Sequence, residues 1–258
     1  MRLLYVVILV LGVNVNVQAL DLGDLGGDLL KNLKDGAGKN SAPAPSTSSH
    51  AAVDRLSDGD VVKGLKEALN QGATSAVSKL GKENGFLGNE KVKIPLPATL
   101  QKVEQVMRTI GQGQVVDELV VTMNRAAEAA VPQAKALLID AIKKMSMQDA
   151  KAILTGGDDA ATQYFRKTTE SQLHDRFLPI VSKSVGKLRV AEKYNNVAGK
   201  AAQLGLVDAK QANMQEYVTQ KSLDGLFLMV GEEERAIRKN PVQRTGYWAQ
   251  KVFGALGQ

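Results

Sequence analysis

Asn124 and Glu128 stand four residues apart in Met123-Asn124-Arg125-Ala126-Ala127-Glu128. On a helix that spacing puts them on one polar flank beside an apolar stripe, with Asp117 earlier along the same element. A carboxylate held there out of water acquires a raised pKa and serves as a base or a ligand contact. The structural alternative is that both groups bond neighbouring helix ends or solvent. Tyr164 and Arg166 lie in Ala160-Ala161-Thr162-Gln163-Tyr164-Phe165-Arg166, just after a Gly156-Gly157 joint. A helix starting there offers free amides and a positive dipole end to an anion. Asp158 and Asp159 are expected to occupy that end as caps, with Tyr164 and Phe165 turned into the core. Asn124, Glu128, Tyr164 and Arg166 are thus the candidate ligand-binding residues.

Other chemistry is sparse. His50 and His174 are the only histidines, and no His-x3-His or Glu-x2-His pair is present, so no metal site is expected. With no cysteine, disulfides, thiolate metal sites and cysteine nucleophiles are excluded. Neither a Gly-x-Ser-x-Gly elbow nor a phosphate-binding loop occurs, and no cofactor is expected. Gly231-Glu232-Glu233-Glu234-Arg235-Ala236-Ile237-Arg238 carries paired carboxylates, but Glu232 to Arg235 and Glu234 to Arg238 are ion-pair spacings that predict a solvated helix face.

Composition bounds the rest. The chain of 258 residues has 33 Lys and Arg against 27 Asp and Glu, a net charge of +6. The basic residues are interspersed with acidic ones instead of gathering beside aromatics, which argues against specific nucleic-acid binding. Hydrophobic residues make up 44% but aromatics only 4%, a balance that favours close-packed helices built on Ala, Val and Leu. Arg2, the apolar Leu3 to Val13 and the small-residue site Val17-Gln18-Ala19 predict a signal peptide over 1–19 and a periplasmic mature protein. No segment of the mature chain stays apolar for the roughly 20 residues that a spanning helix requires.

Residues 20–52 read as a leucine-rich leader interrupted by Gly23, Gly26 and Gly27, followed by a Pro- and Ser-rich linker. The domain is expected over 53–258. Ser57 is placed to cap a helix whose stripe holds Val61, Leu65, Ala68, Leu69, Gly72, Ala76 and Leu80. Gly85 to Gly88 end that element, and Ile94-Pro95-Leu96-Pro97 must be extended, because each proline disfavours helix in the residue before it. Two helices flank a Gly111-Gln112-Gly113 break. Pro132 opens another, and Ser146 with Asp149 reads as a capping box for the next. Asp158 is expected to cap a longer helix kinked at Pro179. A helix over about 188–204, another after Asp208 and a last one capped by Ser222 and ending before Pro241 complete the set, with the Trp248 tail docked on the bundle. Short Gly-rich joints between them predict an all-α bundle of antiparallel amphipathic helices crossed by one Pro-containing strap.

Six stretches in order, namely Ile94 to Pro97, Met123 to Glu128, Ala150 to Gly156, Ala160 to Arg166, Leu223 to Phe227 and Glu233 through Thr245, resemble a bacterial exported family known as domain of unknown function 4197, over about residues 51–256. The resemblance implies one helical domain behind an export signal, and it transfers no activity, cofactor or site residue. The expected function is that of a non-enzymatic periplasmic domain binding a small ligand or an envelope protein. The alternatives are an enzyme with a carboxylate-based site and a cell-envelope scaffold.

Overall fold

The structure, a computed structural model, describes residues 57–187, 191–192, 194–196, 199, 203, 212–240 and 246, without the side chains of Lys102 and Val103. Among them the elements are α1 (Asp58–Leu80), α2 (Ala98–Thr109), α3 (Gly113–Ala130), a 3-10 turn (Val131–Gln133), α4 (Ala134–Lys144), α5 (Met147–Thr155), α6 (Ala160–Val185) and α7 (Met214–Lys239). Helical residues also occur at 191–192, 194–196, 199 and 203, and no strand occurs among the described residues. The fold is an all-α bundle. The expected leader and linker, most of the expected helices over 188–204 and after Asp208, and the Trp248 tail lie outside the described residues.

Local chemistry sets most of the boundaries. The Ser57 hydroxyl accepts from Asp60 N at 3.2 Å, and Pro132 sits in the 3-10 turn that leads into α4. Ser146 and Asp149 form both halves of the capping box, with Asp149 N to Ser146 Oγ at 3.1 Å and Ser146 N to Asp149 Oδ2 at 3.0 Å. Those bonds, the Ser146 hydroxyl first, hold the Asp149 carboxyl below its ordinary pKa. α6 continues through Pro179 to Val185.

Two expected caps fall elsewhere. α7 begins eight residues before Ser222, at Met214, because the Asn213 side chain accepts from Gln215 N and Glu216 N. Ser222 is buried within the helix and donates to Val218 O at 2.6 Å. At the start of α6, Asp158 and Asp159 cap nothing with their side chains; Asp159 is the boundary residue and accepts from Gln163 Nε2. The first amides there go to Glu234 of α7.

α6 packs on α7, α3 and α4, and α7 also on α1. Ala161, Arg166 and His174 of α6 meet Glu234, Asp224 and Glu216 of α7 in reverse order, so the two run antiparallel. Phe86, Phe165, Phe177 and Phe227 are fully buried among alanines such as Ala76, Ala126, Ala130 and Ala161. Each such Phe contributes about 1.5–3 kcal/mol of burial, and the small side chains let the helix backbones approach. The strap over 89–97 crosses this core: a turn closed by Val92 N and Lys93 N on Asn89 O leads into a stretch with Ile94 and Leu96 buried and Lys93 and Pro95 exposed, the alternation of an extended chain.

Candidate functional site

Asn124 is fully buried and pairs with the strap as a neighbouring strand would. Its Oδ1 accepts from Ile94 N at 2.8 Å, and its Nδ2 donates to Ile94 O at 3.0 Å and Val120 O at 2.8 Å. Among the described residues there is no strand for the strap to join, and a side-chain amide supplies the donor and acceptor that its backbone requires. One turn on, Glu128 Oε1 accepts from Phe86 N at 3.0 Å and Leu87 N at 3.1 Å, while Oε2 accepts from Arg125 at 2.6 Å. Arg125 in turn reaches Glu83 at 3.1 Å and Asn84 Oδ1 at 3.0 Å. Both candidates on α3 therefore hold the segment after α1 in place, and neither carboxylate nor amide faces an open cleft. Asp117 is separate from them, paired with Arg108 at 2.6 Å, which lowers the pKa of its exposed carboxyl.

Tyr164 and Arg166 point to different neighbours. The Tyr164 hydroxyl donates to Ala141 O of α4 at 3.1 Å, and burial raises the pKa of this phenol. Arg166 faces α7: its guanidinium lies 4.6 Å from the centre of the Phe227 ring, 2.8 Å from Glu170 and 3.7 Å from Asp224. The four candidates do not converge on one cavity.

Tyr164 lines a groove instead. Between α5 and α6 an open hollow of about 380 Å³ is walled by Asp149, Ile153, Gln163, Tyr164 and Lys167, with the Gly156-Gly157 joint along it. At Gly156 a Cβ would sit 2.7 Å from both Ala152 O and the Ala160 Cβ, so the bare backbone lets α5 turn directly into α6. Gly157 has only Asp159 Oδ1 near, at 3.7 Å. Asp149 is engaged with Ser146 and Asp159 with Gln163. Lys167 brings a cation to the rim, and the Tyr164 oxygen keeps acceptor capacity. The groove can receive a small polar molecule or a partner's side chain.

Behind the joint lies a buried carboxylate that sequence reasoning placed on a solvated face. Glu234 is 5% exposed and Glu233 7%. Glu234 accepts from Ala161 N, Thr162 N and Thr162 Oγ1 at 2.9, 2.9 and 2.8 Å, taking the free amides at the start of α6. The expected Glu234–Arg238 pair exists at 3.0 Å, and Arg238 also donates to Ile153 O at 2.8 Å near the end of α5. A carboxylate at a helix N-terminus and a guanidinium at a helix C-terminus both suit the helix dipoles. Glu233 binds Lys79 of α1, and Glu232 binds Lys91 of the strap rather than Arg235. The signal was present in the sequence: Val230, Glu233, Glu234 and Ile237 share one helical stripe. His174 bridges the helices through Glu216, Nε2 to Oε2 at 2.8 Å. Among the described residues no three His, Cys, Asp or Glu side chains are grouped to hold a metal, and no helix is long and apolar enough to cross a membrane.

Residues 55–254 match the model of a family described as protein of unknown function (DUF4197). No curated protein and no solved structure matches the chain significantly.

Proposed function

We propose, on the premise that the chain belongs to this family of unknown function over residues 55–254, that it is an exported, non-enzymatic domain of the periplasm that binds a small ligand or an envelope partner in the groove between α5 and α6. The observation that carries the reading is how the polar groups are distributed. Asn124, Glu128 and Glu234, the side chains with the chemistry for catalysis, are buried against backbone groups. The groove, by contrast, is lined by Lys167, Gln163 and Tyr164 around apolar Ile153, the mixed lining of a binding site. The pattern of residues 1–19 and the lack of any cysteine support export to an oxidising compartment.

Native mass spectrometry of the protein, as isolated from its producing cell, against the same sample denatured tests this. A bound molecule or partner is expected on the native protein, and it is expected to be lost from Lys167→Glu and from Gly157→Leu, which fills the hollow where a side chain has room. A bare chain, or a bound species indifferent to both substitutions, would sink the groove reading and move weight to an envelope scaffold.

A further inference from the structure

Along the outer face of α6 run cations without a counter-charge. Arg176, Lys183 and Lys187 are spaced seven and four residues apart, which keeps them within about 20° of one line on a helix turning about 100° per residue, over about 16 Å. Lys187 continues that line in the turn just after Val185. All three are exposed, and none has an ion pair or hydrogen bond among the described residues. Lys79, Lys91, Arg108, Arg125, Lys151 and Arg238 each have a carboxylate partner, and Lys82, Lys143 and Lys239, which have none among the described residues, stand on different elements and not along one line. The exposed Asp175 lies off this line and faces His174 at 3.8 Å. Between the cations the surface is apolar: Pro179 and Ile180, with Ala129 from the end of α3, form an open hollow of about 590 Å³ rimmed by Lys183, Ser184 and Lys187.

We infer that this face is a docking surface for a bilayer bearing anionic headgroups, with lipid phosphates on Arg176, Lys183 and Lys187 and the Pro179-Ile180 hollow receiving the apolar part of a lipid. An acidic peptide would satisfy the cations alone. An anionic lipid also fills the hollow, because its charge and its chains are joined in one molecule. Each cation near such a surface multiplies partitioning by roughly fivefold, so three together supply about a hundredfold. The inference stands apart from the groove between α5 and α6, which lies elsewhere on the bundle and has a different lining.

Co-sedimentation of the full chain, as its producing cell leaves it, with vesicles of phosphatidylcholine alone or mixed with phosphatidylglycerol provides the test. Binding is expected on the mixed vesicles, weakening as salt is raised. Arg176→Glu/Lys183→Glu/Lys187→Glu is expected to reduce it by about a hundredfold or more. Lys82→Glu/Lys143→Glu/Lys239→Glu makes the same change in net charge elsewhere and is expected to retain most of the binding, as is Lys167→Glu in the groove. Glutamine at the same three positions gives a second reading should the charge reversal disturb folding. Equal loss in both triple variants, or no preference for the anionic vesicles, would overturn the inference.

Discussion

Asn124 and Tyr217 grip the strap at adjacent residues, one at Ile94 through two hydrogen bonds, the other at Pro95 O at 3.0 Å. Their contributions differ in kind. Asn124→Ala strands the buried amide and carbonyl of Ile94 together and is expected to cost about 2–4 kcal/mol, whereas Tyr217→Phe leaves a single carbonyl short and costs about 1 kcal/mol. Urea denaturation of the two variants reads the difference. Burial first, then the proximity of Tyr194, pushes the Tyr217 phenol up to about 12. The fold thus prefers the protonated phenol. Its stabilisation is complete below the ordinary tyrosine value near 10 and is lost as pH rises through about 12. An ultraviolet absorbance titration is expected to show one tyrosine ionising late, together with loss of near-ultraviolet dichroism, and Tyr217→Phe is expected to remove that late step. The Asn124 to Glu128 spacing was legible in the sequence. Their partners, 30 and 41–42 residues away, were not, because nothing local says where an extended strap folds back.

At the scale of elements, α7 approaches the segment after α1 so closely that it carries a glycine in mid-helix. A Cβ on Gly225 would lie 2.7 Å from Phe86 Cε1 and 3.3 Å from the Val92 Cβ, with both neighbours buried. Alanine there gains up to about 1 kcal/mol of helix propensity. Against that stands overpacking of a ring with no room to turn, about 1–3 kcal/mol. Gly225→Ala is therefore expected to be destabilising on balance, while Gly157→Ala, which meets only Asp159 Oδ1 at 3.7 Å, is expected to be neutral. Thermal unfolding followed by circular dichroism separates the two. Helix starts were readable where the cap lies within three residues, as at Ser57 and Ser146. At α6 and α7 the reading went astray for two reasons. The cap of α6 comes from Glu234 more than seventy residues on, and a serine at the buried position 222 bonds back to Val218 as readily as it caps.

Across the whole molecule, the Glu234–Arg238 pair joins three helices: it takes the amides at the start of α6, a carbonyl near the end of α5 and the side of α7. Removing Glu234 leaves the amides of Ala161 and Thr162 without their acceptor and Arg238 with only Ile153 O, whereas removing Arg238 leaves a buried carboxylate without its counter-charge. Glu234→Ala is expected to cost about 3–5 kcal/mol, and the double variant with Arg238→Ala is expected to cost less than the sum of the two singles. Equal additive losses in a denaturation cycle would count against the pair acting as one unit. The sequence by itself determined the helical class, the extended strap, the locally capped helix starts and the family, because periodicity, proline sterics and short-range capping act within a few residues. Only the tertiary structure decided that Asn124 serves the strap and Glu128 the turn before it, that Glu233 and Glu234 lie inside, and that Tyr164 and Arg166 part company. Each of those outcomes depends on which helix faces which, and that follows from packing the whole set around one core.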